Sequence, residues 1–333
     1  MIQLRRILLS LAVISLPLLT GCTSYTAPIN YGGPTPTPPP SSGSFVYYTA
    51  NPTLGVVGYP ITATSTLLTE LTPSVANGLG TTADIAFDAN GRLFVVNQAL
   101  LPNTSTISVF TPPLTASSAA TFILTMPVAG CIFGIAFDSS NHMWIADCVG
   151  KIYEFDGPFT ATGTLPAANI TLTSNPFPFG LAFDPTGNLW VTLDQPNNGI
   201  EEYLKGGGFT NATPVDHTIT GLDHPLAIAF DAAGDLFSSG RLAAQGTSEY
   251  LHTNLAAGAT PNVLDPTGLA ANLFARQFTF DSAGNLYTTD CVSSGHIYVY
   301  PIATMAFSPT LAPLDYTDAN ITSHFCAQGI AIH

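Results

Sequence analysis

One pattern recurs along this chain and limits what it can fold into. It reads Asp84-Ile85-Ala86-Phe87-Asp88, then Gly91-Arg92-Leu93-Phe94-Val95. It returns as Gly134-Ile135-Ala136-Phe137-Asp138 with Met143-Trp144-Ile145-Ala146, and as Gly180-Leu181-Ala182-Phe183-Asp184 with Gly187-Asn188-Leu189-Trp190. Two further copies run Ile228-Ala229-Phe230-Asp231 with Leu236-Phe237, and Phe278-Thr279-Phe280-Asp281 with Leu286-Tyr287. Each short apolar run is too brief for a helix and reads as a strand. Asp and the small residues after it make a tight turn, because the carboxylate accepts turn N–H groups and Gly or Asn tolerates positive φ. Leu-Trp-Val is the returning strand. Runs such as Lys151-Ile152-Tyr153-Glu154-Phe155 and His296-Ile297-Tyr298-Val299-Tyr300 supply a third strand, and a weaker fourth follows.

The turn aspartates stand at 88, 138, 184, 231 and 281, a spacing of 46–50 residues. Four antiparallel strands at that period are the blades of a β-propeller. The ends supply one more blade. The chain stops at Gly329-Ile330-Ala331-Ile332-His333, a first strand with nothing after it, while Phe45-Val46-Tyr47-Tyr48-Thr49 and Gly55-Val56-Val57-Gly58-Tyr59 read as second and third strands. The expectation is an all-β, six-bladed propeller over residues 45–333. A composite blade of N- and C-terminal strands closes it and hides the sheet edges.

The copies resemble NHL repeats and the related repeats of gluconolactonase- and regucalcin-like (SMP-30) propellers. That resemblance covers roughly residues 45–333 and implies a fold more than a function, since such propellers include lactonases, lyases and plain binding scaffolds. It also implies a place for a divalent cation at one channel mouth, held by Glu, Asn and Asp near the starts of the inner strands. Here those starts read Ala83-Asp84, Phe133-Gly134, Phe179-Gly180, Leu226-Ala227, Arg276-Gln277 and Gln328-Gly329. Only Asp84 matches, so no motif supports a metal or other cofactor in the channel.

Ahead of the repeats, Arg5 and Arg6 precede a thirteen-residue apolar run from Ile7 to Leu19, which ends in Leu19-Thr20-Gly21-Cys22. The run is short for a membrane span, which takes ~20 residues. It has the form of a signal peptide, and its end looks like a bacterial lipobox with Cys22 as the lipidated residue. Residues 1–21 are therefore expected to be removed, and residues 22–44 to form a proline-rich tether containing Pro34-Thr35-Pro36-Thr37-Pro38-Pro39-Pro40. No Asp follows Cys22, which favours the outer over the inner membrane. The mature chain has five basic against 21 acidic residues, a formal charge of −16. Such a surface repels nucleic-acid phosphates.

Polar residues near the strand ends would ring one channel mouth: Asp84, Asn97, Asp147, Asp194, His224, Arg241, Arg276 and Asp290. The competing reading is that Asp147 and Asp290 cap loops or pair with Arg241 or Arg276. The repeated turn aspartates and the Trp144/Trp190 position are read as turn and core chemistry. No His-x-x-x-His, nucleophile elbow or phosphate loop occurs, so the catalytic residues are unknown and the sequence points away from an enzyme. The four cysteines after Cys22 read as disulfides in an exported domain. The repeat register places Cys131 with Cys148 in one hairpin, and Cys291 with Cys326 across adjacent blades. The expected function is a monomeric, envelope-anchored scaffold that binds a protein, glycan or small ligand. The alternatives are a channel-mouth lactonase or lyase and a solute-sensing lipoprotein without turnover.

Overall fold

The structure, a computed structural model, describes residues 45–51, 55–60, 69–71, 78–99, 103–112, 114–115, 117–194, 196–240, 247–261, 263–265, 275–290, 297–303, 307–308, 311, 314–316 and 326–333. The expected signal peptide, Cys22 and the tether lie outside the described residues, as do Arg241 and Cys291. Of Asp290 and Cys326 only the backbone is described.

The strands follow the repeat. They are β1 (Phe45–Asn51), β2 (Gly55–Pro60) and β3 (Thr69–Leu71); β4 (Thr82–Phe87), β5 (Leu93–Asn97), β6 (Thr106–Phe110) and β7 (Phe122–Thr125); β8 (Ile132–Phe137), β9 (Met143–Asp147), β10 (Lys151–Phe155), β11 (Gly163–Thr164) and β12 (Ile170–Thr173). Then come β13 (Pro178–Phe183), β14 (Leu189–Leu193), β15 (Gly199–Tyr203) and β16 (His217–Thr220); β17 (Ile228–Phe230), β18 (Leu236–Ser239), β19 (Thr247–Tyr250) and β20 (Val263–Asp265); β21 (Ala275–Phe280), β22 (Leu286–Asp290), β23 (Ile297–Tyr300) and β24 (Leu314–Tyr316); and β25 (Cys326–Ile332). Each repeat folds into its own antiparallel sheet. The last strand joins the first three, in the order β25-β1-β2-β3.

The turn aspartates act as expected. Asp138 Oδ1 accepts the N–H groups of Ser140 and His142, both at 2.9 Å. Asp281 Oδ1 does the same for Ala283 and Asn285, at 2.9 and 2.8 Å. The second oxygen has a further use, accepting the Trp144 indole N–H at 3.3 Å and, from Asp184, the equivalent Trp190 N–H at 3.2 Å. That bond satisfies the polar atom of each indole and allows both to be buried.

The core is divided among the gaps between sheets. Trp144 meets Phe183 of the next sheet edge-on, with ring centroids 5.8 Å apart, and Trp190 meets Phe230 at 5.7 Å. Phe94–Phe137, Phe237–Phe280 and Tyr47–Phe87 repeat the contact. The Tyr47 cluster gathers Val56 and Ala331 from the sheet of the chain ends with Ile85, Leu93 and Val95 from the first repeat. Middle strands are buried on both faces, which is why they read as continuous apolar runs and not as alternation.

One expectation is corrected. The sheet of β4–β7 has a fifth strand, because β11 pairs with β7 in parallel. The connection between β10 and β12 leans back and covers the open outer edge of the preceding sheet, which strand counting by repeat does not reveal.

Cys131 and Cys148 form a disulfide with Cα atoms 5.6 Å apart. It joins the start of β8 to the end of β9. A bridge closing a segment of separation 17 contributes about 3 kcal/mol through the unfolded chain. Cys148→Ser should therefore lower the melting temperature by several degrees, and reductant should lower the wild type by more than the variant. Equal melting of both proteins with and without reductant would refute the contribution.

Candidate channel site

Among the described residues, five innermost strands carry a register shift at the same place. It falls between Thr82 and Ile85, Ile132 and Ile135, Pro178 and Leu181, and Ala275 and Phe278. In the pairing of β1 with β25 it falls between Tyr48 and Ala50. Such bulges re-aim side chains. Here Ala83, Asp84, Phe133, Phe179, Gly180, Arg276, Gln277, Gln328 and Gly329 converge around one small gap at the mouth face, the end where the innermost strands start.

The gap is packed shut. Phe133 stacks on Phe179 with centroids 4.9 Å apart, and the Arg276 guanidinium lies over the Phe179 ring at 5.1 Å. Beneath them Asp84 accepts the N–H of Ile85 at 2.9 Å, that of Ile135 at 3.0 Å, and the Gln277 amide at 3.2 and 3.3 Å. Glycines make room for this layer. A Cβ on Gly134 would sit 2.1 Å from the Phe179 carbonyl oxygen, and one on Gly329 would sit 2.7 Å from Asp84. Asp84 is 6 % exposed, and burial pushes its carboxyl up to about 7 against the pull of its hydrogen bonds. Below the layer, a cavity of about 300 Å³ opens among Ile85, Ile135, Leu181, Ile228, Phe278 and Ile330, with Gln277 lining it too.

Side-chain hydroxyls pin neighbouring innermost strands together, which sequence reading missed. Thr192 accepts the Gly180 N–H at 2.7 Å and donates to the Leu226 carbonyl at 2.9 Å. Ser239 does the same between Ala227 and Ala275, and Thr49 between Gly329 and Ala83. A Thr or Ser near the end of the second strand was the available signal.

Of the expected mouth residues, Asp84 and Arg276 meet at this gap. Asn97 and Asp147 do not. Asn97 is buried and binds the Gly80 N–H, Ser108 and Thr106 of its own sheet. Asp147 caps its own loop, accepting the N–H groups of Val149 and Lys151 at 2.9 and 2.8 Å and the Tyr153 hydroxyl at 2.9 Å. Asp147 is held by the loop that ends its strand, and Asn97 by the segment before β4 and by β6, so both are engaged within their own sheet. Asp194 and His224 pair with each other at 2.5 Å away from the gap. The mouth face instead exposes apolar side chains: Val128, Val149 and Phe177 are 42 %, 62 % and 41 % exposed. Phe177 is held at φ 64°, a left-handed conformation that costs a bulky residue ~1–3 kcal/mol.

These sheets and their packing define the chain as a β-propeller. It is similar to a crystal structure of a protein of unknown function from Bacteroides caccae, at 12 % identity and TM-score 0.60, covering 87 % of this chain and 99 % of that one. A Lactobacillus plantarum protein matches at 12 % identity and TM-score 0.53, with the same coverage. The virginiamycin B lyase of Staphylococcus aureus aligns at 14 % identity and TM-score 0.49, over 84 % of this chain and 82 % of that one. At such identities the likeness concerns the fold alone. No protein-family model and no curated protein matches the chain.

Proposed function

We propose that this chain is an envelope lipoprotein, anchored through Cys22, whose six-bladed propeller is closed by the composite sheet of its two ends. It acts as a monomeric scaffold that binds a protein or glycan partner at the mouth face, with no nucleic acid involved. The observation that carries this reading is the plugged mouth: Asp84 lies beneath Phe133, Phe179 and Arg276 with its oxygens occupied by donors. An acid or base must come within hydrogen-bond reach of its substrate, and this one is covered. What the same face offers to solvent is apolar contact surface, including an exposed Phe held in a costly backbone conformation.

Photoreactive residues at Val149 and Phe177 test the reading in cells producing the protein. Cross-linked adducts are expected from both positions and not from Ala89 at the opposite end. Cys22→Ala should move the protein out of the membrane fraction. Adduct-free mouth positions, or a purified protein that opens lactones and loses that activity in Asp84→Asn, would overturn the binding reading in favour of turnover.

A further inference from the structure

At the turn face, away from the channel, two neighbouring sheets assemble the same group of donor atoms from different chain positions. In the sheet of β13–β16, the register sets Glu202 opposite His217. His217 Nδ1 lies 2.9 Å from Glu202 Oε2 and 3.0 Å from Asp216 Oδ2. In the sheet of β8, β9, β10 and β12 the imidazole comes from the hairpin turn instead. His142 Nδ1 lies 3.1 Å from Asp138 Oδ2 and 3.0 Å from Glu154 Oε1. Glu154 and Glu202 are equivalent, each paired with the buried Trp of the second strand. The histidines are not equivalent, so it is the donor set that recurs and not a sequence motif.

The sheet of β4–β7 shows what this place needs. There Arg92 stands at the His142 position and binds Asp88 Oδ2 at 2.6 and 2.8 Å, and Val109 replaces the glutamate. The cation is part of the chain. In the two histidine sheets the carboxylates multiply, and among the described residues their ion pairs are with histidine alone. A lone pair on Nδ1 facing two carboxylates is repulsive unless a proton or a metal lies between them. The His217 side chain is 12 % exposed and packs perpendicular to Trp190 at 5.4 Å, which holds Nδ1 toward Glu202 and Asp216. At His142 the other ring nitrogen, Nε2, lies 3.5 Å from Asp156 Oδ1, the arrangement in which a carboxylate keeps the Nε2 proton and turns the Nδ1 lone pair toward a metal.

We propose that Glu202, Asp216 and His217 form a binding site for a divalent transition metal of the zinc class, and that Asp138, His142 and Glu154 form its counterpart in the neighbouring sheet. The donor atoms of each group lie within 4.8 Å of one another. Zinc bonds of ~2.0–2.2 Å set tetrahedral ligands ~3.3–3.5 Å apart, so binding requires shifts of only a few tenths of an ångström in the closest pairs. The nitrogen donor selects zinc-like ions over calcium or magnesium, which take oxygen ligands. The Asp216 side chain is 45 % exposed, which admits the ion and leaves a fourth position to water. The metal would tie the outer strand β16 to β15.

Equilibrium dialysis of the full-length protein in detergent against zinc, read by elemental analysis, tests this. Two equivalents are expected in the wild type, one in His217→Gln, one in His142→Gln and none in the double variant. Cobalt in place of zinc should give the intense visible absorption of a tetrahedral site. Asp216→Asn replaces an exposed ligand and should melt like the wild type while binding zinc at least ~10-fold more weakly. Its binding decides the β15–β16 site if His217→Gln does not fold. Wild-type zinc content equal to that of the double variant would overturn the proposal, as would unchanged affinity in Asp216→Asn.

Discussion

Deletion of Gln328–His333 is expected to abolish folding. These residues form most of β25, which pairs with β1 from Val46↔Ile332 to Tyr48↔Ile330 and, beyond the bulge, at Ala50↔Ala327. The strand packs against both β21 and β4. It serves two cores, since Ile330 joins the cluster of Tyr48 and Tyr287 while Ala331 joins that of Tyr47 and Ile85. Losing the Ile330 side chain alone costs about 2–5 kcal/mol, and each lost ladder hydrogen bond adds about 1 kcal/mol. Together these rival the ~5–15 kcal/mol of a typical domain. The edge of β1 would also be laid open to pairing with other chains. Soluble yield, size-exclusion profile and thermal melting measure the effect. A truncated chain that stays monomeric and melts like the full-length protein would show that the ends do not close the fold.

The second large effect is electrostatic. Asp84 is buried and its folded-state pKa is raised to about 7, chiefly by desolvation. A raised folded pKa means that the stabilising share of this group is fully present below the unfolded value near 4 and is lost as pH rises through 7. A tenfold change in a protonation equilibrium is worth about 1.36 kcal/mol, so the contribution changes by up to about 4 kcal/mol between about pH 4 and about pH 8. Asp84→Asn cannot titrate. The difference in unfolding free energy, wild type minus variant, should therefore fall by a few kcal/mol from about pH 5 to about pH 8. Denaturant melts at a series of pH values measure it, and parallel profiles for the two proteins would sink the idea. The absolute offset also reflects the Asn amide facing the N–H groups of Ile85 or Ile135, so the test is the slope.

The strand–turn–strand units were legible in the sequence because their causes are local. Asp138 needs only Ser140 and His142 to make its turn, and the apolar run before it needs only its neighbours to read as a strand. The pairing of Cys131 with Cys148 followed from the same hairpin. The candidate site was half legible. The position of Asp84 and Arg276 was visible as strand starts, but Asp147, at that same end, caps its own loop, and Asn97 binds the segment before β4. The sequence contains no sign of that choice, because a polar side chain is captured by whichever donors and acceptors the neighbouring segments of its sheet present.

What the sequence by itself determined is the repeat, the all-β class, the turn chemistry and the matching of the chain's two ends, all carried by side chains within a few residues of one another or by recurrence of one pattern. The tertiary structure alone decided that Gln277 binds Asp84, that Phe133 stacks on Phe179, that β11 lies along β7, and that Glu202 faces His217. Those contacts join residues on different sheets or on strands separated by long connections. Their distances depend on how the sheets pack around a common centre, and no local pattern of polarity or propensity encodes that packing.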